Sequence, residues 1–399
     1  MSPVSPPRFS SRLPWPLDPS PLARALEARR ASGPPVVDLT ETNPTRTGLV
    51  RDAGAVLGGL ADPAGLTYDP DPRGLPVARE AVAAYYADHG RRVDPGSLFL
   101  TAGTSEAYGH LFKLLADPGD EILVPRPCYP LFEHLTTLEN LRARPYPLRL
   151  HPGPGWRIDE EALRAAAGPR TRAVIVVSPN NPTGNFLGRD ERHRLSALCA
   201  ERGLALVADE VFLDYPAPGS GDAASSAAGN DGALTFVLSG LSKVAALPQL
   251  KLGWIQVSGP AGPAGEAAER LEFLTDAFLS VNTPVQLAAA RILSGRHEVQ
   301  AAIRARLDRN AAALAATCAS LSGLCVLPRE GGWYGVIALP PEQDEEETVR
   351  RLLDRGGVWV HPGYFYELED PALVVSLLPA PGVFAEGLAR LAAALEEPR

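Results

Sequence analysis

The hydrophobic pattern alternates between two periodicities in the first two thirds of the chain. Short, nearly continuous apolar runs are separated by longer segments whose apolar residues recur at helical spacing. The apolar runs are residues 97–103, 121–125, 171–178, 204–210, 235–240 and 253–259, and the helical segments are residues 74–90, 104–117 and 189–203. Strands that alternate with helices predict an α/β domain with a mostly parallel central sheet flanked by helices. Ligands of such sheets bind where strands end at the carboxyl edge.

The C-terminal part of the chain repeats the pattern on a smaller scale. Long helical segments are followed by short apolar runs and a final helix, which predicts a smaller α/β C-terminal domain. The helical segments are residues 264–280, 283–295, 298–321 and 383–397, and the apolar runs are residues 334–340, 357–363 and 372–378.

These patterns divide the chain into three parts. We assign residues 1–48 to an N-terminal arm and part of the small domain, residues 49–292 to the large domain, and residues 293–399 to the small C-terminal domain. Residues 1–35 are rich in proline and have little periodic hydrophobicity. We therefore expect them to be ordered only by packing on another part of the protein.

Composition and charge exclude several classes of function. The chain has 399 residues, of which 45% are hydrophobic and 21% charged, as in ordinary globular proteins. A net charge of -9 argues against a nucleic-acid partner, and no apolar run reaches membrane-spanning length. The first residues lack the apolar middle of a secretory signal, so we expect a cytoplasmic protein. The seven histidines show no metal-ligand spacing, and we predict no metal site.

Lysine is scarce, which draws attention to the positions where it occurs. Only Lys113, Lys243 and Lys251 are present among 38 lysines and arginines. Arginine stays charged, whereas a lysine can lose its proton and act as a nucleophile. Lys243 follows the strand-like run 235–240, in the segment SGLSKVAALPQLKLGW that also contains Ser239. Taken alone, either lysine of this segment is better explained as an exposed surface residue.

Three other segments place polar residues at the ends of predicted strands. TAGTSEA (101–107) begins a helix with Thr104 and Ser105, which fits either a phosphate site or an ordinary helix cap. SPNNPTGN (178–185) is a turn fixed by proline and glycine, which either presents Asn181 at the sheet edge or serves geometry alone.

The third segment, LALVADEVF (204–212), ends a buried strand with Asp209 and Glu210. A carboxylate buried at this position needs a partner. The partner is a cationic atom of a ligand, the backbone N–H groups at the start of a helix, or an arginine side chain. Together the four segments offer a phosphate seat, an amide, a carboxylate for a ring nitrogen and an amine. Pyridoxal phosphate needs that combination.

From about residue 36 to its C-terminus, the chain resembles the class I/II aminotransferases of the aspartate aminotransferase superfamily, which are fold type I pyridoxal-phosphate enzymes. The resemblance rests on SPNNPTG, on Asp-Glu-Val after a buried strand, and on S-x-x-S-K followed eight residues later by a basic residue near Gly-Trp. It implies a fold type I transferase with pyridoxal 5'-phosphate bound in the large domain. It also implies a small-molecule amino donor and a carbonyl acceptor as substrates.

The resemblance assigns roles to individual residues. It implies that Lys243 forms the Schiff base and moves the proton during catalysis, while Asp209 pairs with the pyridine nitrogen and Asn181 donates to the ring hydroxyl. Tyr129 is implied to stack on the cofactor. Tyr68 is implied to reach the phosphate bound in a neighbouring subunit. The resemblance therefore also implies a homodimer. The implied phosphate cup comprises Thr104, Ser105, Ser239, Ser242 and Lys251.

Three positions depart from the family pattern. Phe212 replaces a tyrosine that bonds the ring hydroxyl, so one donor is lost there. Lys251 stands where arginine is frequent, and it supplies a point charge instead of a bidentate fork. Val374 stands where the family holds the substrate carboxylate with an arginine.

The loss of the arginine at Val374 leaves two alternatives. Another basic group, Arg46 or Arg126, takes over, or the substrate carries no carboxylate at that position. The segment HPGYFYEL (361–368) offers His361, Tyr364 and Tyr366 as hydrogen-bonding groups, or as a cluster that only packs.

The predicted function is that of a pyridoxal-phosphate-dependent aminotransferase acting on a non-standard substrate. A lyase or decarboxylase on the same fold is the alternative, because a fold does not fix the reaction. A cofactor-sensing transcription regulator is disfavoured, because residues 1–35 are too short and too rich in proline for a DNA-binding domain.

Overall fold

The computed structural model describes residues 9–49, 53–153, 155–220 and 224–396. The strands of these residues, in chain order, are β1 Val37–Asp38, β2 Leu98–Thr101, β3 Glu121–Arg126, β4 Arg142–His151, β5 Gly155–Ile158, β6 Thr171–Val177, β7 Ala205–Asp209, β8 Thr235–Gly240, β9 Gly253–Ser258, β10 Cys325–Val326, β11 Tyr334–Ala338, β12 Val358–Trp359, β13 His361–Pro362 and β14 Ala372–Ser376. The α-helices are α1 Pro21–Ser32, α2 Ala53–Leu60, α3 Pro76–Asp88, α4 Thr104–Leu115, α5 Phe132–Leu138, α6 Glu160–Ala166, α7 Arg189–Arg202, α8 Leu241–Val244, α9 Ala261–Asp276, α10 Thr283–Ser294, α11 Arg296–Ser320, α12 Glu345–Arg351 and α13 Pro381–Glu396.

The large sheet has eight strands in the order β2-β9-β8-β7-β6-β3-β4-β5. Neighbouring strands from β8 to β4 are all parallel. Both β2 and β8 run antiparallel to β9, so β2 points in the same direction as β8. The carboxyl ends of β2, β6, β7 and β8 therefore lie at one edge of the sheet, and the prediction of a mostly parallel central sheet is confirmed.

Both faces of this sheet are buried, which explains the continuous apolar runs of its strands. In β6, Ala173 and Ile175 pack into one apolar cluster, while Val174 and Val176 pack into another on the opposite face. Helices α4 and α9 cover the first face, and α3, α7 and α10 cover the second. Successive side chains of a strand point to opposite faces, so each of the positions 173–176 of β6 needs an apolar residue.

A second, smaller sheet lies in the C-terminal part of the chain. Its order is β10-β11-β14-β13, with all neighbours antiparallel, and β1 pairs with β12 in a separate parallel pair. A third apolar cluster joins this sheet to α11 and α13 and also contains Phe212 from the loop after β7. The predicted fold class is confirmed, whereas the domain boundaries at residues 48 and 292 remain a prediction.

The proline-rich arm contains a regular helix, which its hydrophobic pattern did not predict. Ser20 caps α1 by accepting a hydrogen bond from the Ala23 N–H at 3.2 Å, and Pro21 occupies the first helical position. Leu22 is buried in the apolar cluster of the small sheet, and Leu26 packs against it. Helix α1 therefore owes its order to this packing, as we expected of the arm.

The hairpin β4–β5 has no counterpart among the predicted strands. Pro145 and Pro147 interrupt the apolar pattern of β4, and proline normally argues against a strand. Tyr146, between the two prolines, and Leu148, after the second, are nevertheless buried in the core. Among the helices in the described ranges, none combines the length and apolar composition that crossing a bilayer requires.

Candidate active site

Strand β2 enters helix α4 through a glycine turn that lies beside Lys251. Gly103 precedes the helix with a φ of 133°, a conformation open mainly to glycine. A Cβ atom on Gly103 would lie 3.3 Å from Lys251 Nζ. An ammonium group therefore lies next to the first backbone N–H groups of a helix, an arrangement that favours an anion such as phosphate.

Close contacts between glycines bring Ser239 to the same place. A Cβ atom on Gly253 would lie 3.0 Å from Gly103 Cα and 3.1 Å from the Ser239 carbonyl oxygen. A larger residue at position 253 would push the two turns apart. Ser239 is buried, and its Oγ has no hydrogen-bond partner within the described residues. Because a buried, unpaired hydroxyl costs free energy, this atom is suited to a ligand oxygen.

Lys243 lies on the short helix α8, directly after β8, and its amine packs against two aromatic rings that also contact each other. The Nζ atom is 4.8 Å from the ring centroid of Trp333 and 5.5 Å from that of Phe212. Burial lowers the pKa of Lys243 to about 8, and the charge of Asp209 acts in the opposite direction. About a tenth of such an amine is neutral at pH 7, which makes it available as a nucleophile.

The backbone of Lys243 is held separately from its side chain. The phenol of Tyr215 donates a hydrogen bond to the Lys243 carbonyl at 2.6 Å. Gln300 on α11 donates to the carbonyl of the next residue, Val244, at 2.8 Å. These bonds fix the helix α8 that carries the amine, without using the amine itself.

Asp209 is the last residue of β7 and is buried. One carboxylate oxygen accepts a hydrogen bond from the Val211 N–H at 3.1 Å, and the other accepts one from the Tyr108 phenol at 2.9 Å. Burial raises the pKa of Asp209 to about 6, although both hydrogen bonds and the charge of Lys243 lower it. Neither hydrogen bond comes from an arginine. A cationic ring nitrogen beside Asp209 would offset the cost of its burial.

The neighbouring acidic residue, Glu210, has a structural role. Its carboxylate accepts hydrogen bonds from the Ser226 hydroxyl at 2.5 Å and the Ala227 N–H at 2.6 Å. Burial raises the pKa of Glu210 to about 7, and the hydrogen bonds from Ala227 and Ser226 act in the opposite direction. Glu210 thereby anchors the loop that contains Ser226 and Ala227, and only Asp209 of this pair interacts with Lys243.

The turn after β6 is fixed by one asparagine and presents the next. The Asn180 amide donates to the Pro127 carbonyl at 3.0 Å and to the Thr183 hydroxyl at 2.7 Å. Asn181 is buried, and its Oδ1 has no hydrogen-bond partner within the described ranges. The alternative that this turn serves geometry alone is therefore disfavoured, because a purely structural asparagine would be expected to satisfy its buried oxygen.

Tyr334 from the small sheet reaches the same asparagine. Burial raises the pKa of Tyr334 to about 12, and hydrogen bonds with Thr42 and Asn181 act in the opposite direction. Phe212 lies beside it, with ring centroids 6.2 Å apart. A phenol from another strand therefore lies next to Phe212.

These residues fit pyridoxal 5'-phosphate by the chemistry of their donors. The unpaired Ser239 hydroxyl, the start of α4 and the Lys251 amine suit a phosphate group. Asp209 suits a protonated ring nitrogen, and Asn181 suits a ring hydroxyl. Lys243 provides the amine that an aldehyde requires.

Other predicted cofactor residues are more peripheral in the described structure. At the start of α4, Thr104 is half-buried and Ser105 is exposed, and Ser242 on α8 is half-buried. Tyr129 is exposed over 48% of its surface and Tyr68 over 79%. Their predicted contacts with the cofactor and with a second subunit remain predictions.

The substrate-side candidates separate into two groups. Val374 is buried in the small sheet, and Arg126 forms an ion pair with Glu367. Arg46 is exposed. Within the described part of the chain, no hydrogen bond or ion pair joins these three side chains.

The residues of the segment 361–368 also separate. His361 Nδ1 lies 3.0 Å from the Tyr366 hydroxyl. Tyr364 instead turns toward Glu346, to which its phenol donates a hydrogen bond at 3.2 Å. Only His361 and Tyr366 of the three predicted groups therefore lie together.

Sequence reasoning missed three aromatic residues of the site: Tyr108, Trp333 and Tyr334. Tyr108 lies four residues after Thr104, so helical spacing puts the two on one face of α4. Trp333 and Tyr334 follow the pair Gly331–Gly332. A Cβ atom on Gly331 would lie 2.8 Å from both the Phe186 ring and the Tyr215 carbonyl oxygen. The paired glycines were the available signal that this turn packs closely against the large sheet.

Comparison with known proteins identifies the family. Residues 48–384 match the family described as Aminotransferase class I and II. Glutamate-pyruvate aminotransferase AlaA of Escherichia coli (strain K12) is 30% identical over 230 residues, covering 57% of this chain and 56% of that enzyme. S-alkyl-thiohydroximate lyase SUR1 of Arabidopsis thaliana is 34% identical over 212 residues, covering 52% and 44%.

The match therefore spans about half the length of these curated relatives. Among solved structures, alanine aminotransferase from Pyrococcus furiosus superposes with a TM-score of 0.87 and 23% identity, over 98% of this chain and 100% of that one. The polar residues at the carboxyl edge of the sheet, the family match and this shared architecture agree, and the chain belongs to the class I and II aminotransferase family, with a fold type I architecture.

Proposed function

We propose that this protein is a pyridoxal 5'-phosphate-dependent aminotransferase that moves an amino group between a small-molecule amino donor and a carbonyl acceptor. The observation that carries the proposal is the position of Lys243, whose amine packs against Trp333 and Phe212 and interacts with buried Asp209. When bound, pyridoxal phosphate supplies an electron sink that stabilises negative charge on the substrate carbon.

Lys243 has two tasks in this function. Its neutral amine would hold the aldehyde carbon of the cofactor covalently. When free, the same Nζ would take the proton from the substrate carbon that bears the nitrogen and would later return a proton. The lowered pKa serves both tasks, because a general base works best when its pKa lies near the operating pH.

The surrounding residues bind and orient. Asp209 keeps the ring nitrogen protonated, and Tyr108 keeps the Asp209 carboxylate in place. Ser239, Lys251 and the start of α4 hold the phosphate, while Asn181 and Tyr334 stand at the position of the ring hydroxyl. Phe212 and Trp333 exclude water from Lys243.

The direct test is chemical trapping at Lys243. Purified protein incubated with pyridoxal phosphate and reduced with borohydride should carry a phosphopyridoxyl group on the peptide that contains Lys243. Lys243→Ala should carry none and should lose the visible absorbance, while Lys113→Ala, which changes an exposed lysine, should behave like the wild type. Colour and activity that persist in Lys243→Ala would refute the assignment.

The reaction type needs its own measurement. An amino donor added without an acceptor should convert bound cofactor to the pyridoxamine form and release the carbonyl product. The similarity to a lyase favours elimination as the second candidate function. Release of ammonia or of a cleaved product, with no pyridoxamine form, would favour that candidate.

The proposal includes a homodimer with shared active sites. Tyr68 and Leu66 are exposed over 79% and 93% of their surfaces, which suits residues covered by a second copy. Sedimentation of the wild type should give the mass of a dimer. Tyr68→Phe should leave that mass unchanged and weaken cofactor binding, whereas an unchanged affinity would refute the role of the Tyr68 phenol.

A further inference from the structure

One face of the small sheet carries Tyr334, whose phenol lies near Asn181, together with His361 and Val374. In the antiparallel ladder, Val374 lies opposite Val336 on one side and His361 on the other, while Ser376 lies opposite Tyr334. Residues directly opposite each other, and residues two apart on one strand, project from the same face. Tyr334, His361 and Val374 therefore share a face.

Three polar side chains on this side of the sheet form a connected group. His361 Nδ1 lies 3.0 Å from the Tyr366 hydroxyl, and the ring centroids of Tyr366 and Tyr334 are 6.2 Å apart. The Asn181 side chain lies near the Tyr334 phenol and lowers its pKa. We call Tyr334, His361 and Tyr366 the phenol–imidazole face.

The phenol–imidazole face is adjacent to the reactive amine. Phe212 links the two, because its ring centroid lies 6.2 Å from that of Tyr334 and 5.5 Å from Lys243 Nζ. A substrate whose amine reaches Lys243 therefore presents its other substituents to this face.

The face is uncharged near neutral pH. Burial lowers the pKa of His361, and only the charge of Asp38 acts in the opposite direction. Burial raises the pKa of Tyr334 to about 12 and raises that of Tyr366 well above its usual range. The imidazole and both phenols thus remain neutral, and each still offers a hydrogen-bond donor or acceptor.

The nearest charged side chains of this segment are already paired. Glu367 directly follows Tyr366 and forms an ion pair with Arg126, and both side chains are 44% exposed. Val374 itself is 1% exposed and surrounded by apolar residues. A carboxylate placed on this face would lose its water, and the guanidinium of Arg126 is already paired with Glu367, whereas a neutral polar group would exchange hydrogen bonds with water for hydrogen bonds with protein.

We infer that the phenol–imidazole face binds the substrate through a neutral hydrogen-bonding group, such as an amide, hydroxyl or ketone, in the place where a carboxylate would require a guanidinium. This inference rests on the proposed function. It identifies the preferred amino donors as amines that carry such a group beside the amine-bearing carbon, instead of free α-amino acids.

The test uses the holoprotein and probes that differ at one group. The sets are L-leucine, L-leucinamide and L-leucinol, and the corresponding three phenylalanine compounds. Binding is measured by calorimetry and by the absorbance change of the bound cofactor. The amide and the alcohol should bind at least tenfold more tightly than the acid. Acids that bind equally well or better, or amides and alcohols that all fail to bind, overturn the inference.

The probes differ in the basicity of their amines as well as in their second polar group. Variants are therefore used to isolate the contribution of the phenol–imidazole face to binding. Tyr366→Phe removes one hydroxyl and should weaken amide and alcohol binding by about tenfold, the effect of one hydrogen bond, with acid binding and cofactor loading unchanged. Tyr364→Phe makes the same change in the same turn, but its phenol is bonded to Glu346, so all affinities should stay as in the wild type. Equal losses for all three probes in Tyr366→Phe, or similar losses in Tyr364→Phe, overturn the inference.

Two further variants address the competing explanation. Val374→Arg should shift preference toward the acids, and if it does not fold, Tyr366→Phe still decides. Arg126→Met should leave the preference for amides intact, whereas a selective loss of tight acid binding would show that Arg126 holds a carboxylate. Failure of the proposed function would be recognised separately, because the wild type would then carry no borohydride-trapped group on Lys243.

Discussion

The burial of Asp209 gives a stability prediction that can be measured without any substrate. The carboxylate is 8% exposed, and burial raises its pKa from 3.8 to about 6 in the protein alone. Its folded pKa therefore exceeds its unfolded value. The stability associated with its protonated form is fully present below about pH 4 and is lost as the pH rises through about 6.

The size of the change in unfolding free energy follows from the pKa shift of Asp209. Each pKa unit corresponds to about 1.4 kcal/mol, so ionisation of Asp209 should cost the apoprotein about 3 kcal/mol at pH 7. Asp209→Asn removes this cost. Its amide can still accept from the Val211 N–H and can donate to the Tyr108 oxygen, so both existing contacts have a counterpart.

The assay is denaturant unfolding of the apoprotein at several pH values between 4 and 7. Relative to the wild type, Asp209→Asn should gain about 3 kcal/mol of unfolding free energy over this range and should bind pyridoxal phosphate more weakly. Asp276→Asn makes the same change at an exposed position and should show no such gain. A difference between wild type and Asp209→Asn that does not change with pH would refute the reasoning.

Three further predictions concern the cofactor residues. Tyr108→Phe removes the hydrogen bond to Asp209 and should weaken pyridoxal phosphate binding by roughly tenfold in an absorbance titration; unchanged affinity would contradict the positioning role. Attachment of the cofactor to the apoprotein should accelerate as the pH rises through about 8, because only neutral Lys243 attacks; a flat stopped-flow profile would exclude this. Ser239→Ala removes an unpaired buried hydroxyl, so apoprotein stability should stay constant or rise by roughly 1 kcal/mol while phosphate affinity falls; a destabilised apoprotein would mean that the hydroxyl has a structural partner.

Most strands and helices of the large domain could be predicted from local hydrophobic patterns. Strands β6, β7 and β8 are buried on both faces, so nearly every residue in them is apolar and the runs are conspicuous. Strand β4 was missed because Pro145 and Pro147 break its pattern, although Tyr146 between them is buried. Helix α1 was missed because its order depends on Leu22 packing against the C-terminal part of the chain.

The cofactor residues were predictable for a related reason. Thr104, Asn181 and Lys243 each follow a strand and Asp209 ends one, and the parallel arrangement brings those strand ends to one edge. Tyr334 could not be placed in this way, because it reaches Asn181 from a different sheet. The loss of a phenol at Phe212 was therefore visible in the sequence, whereas the neighbouring phenol of Tyr334 was not.

The sequence by itself determined the order of elements and the residue types at the strand ends, because side-chain periodicity and turn chemistry act over a few residues. Only the tertiary structure decided which side chains meet across distant segments. Contacts such as Tyr108 with Asp209, Trp333 with Lys243, and His361 with Tyr366 beside Val374 depend on how sheets and helices pack. Burial, which shifts the pKa values of Lys243 and Asp209, is likewise a property of that packing and not of the local sequence.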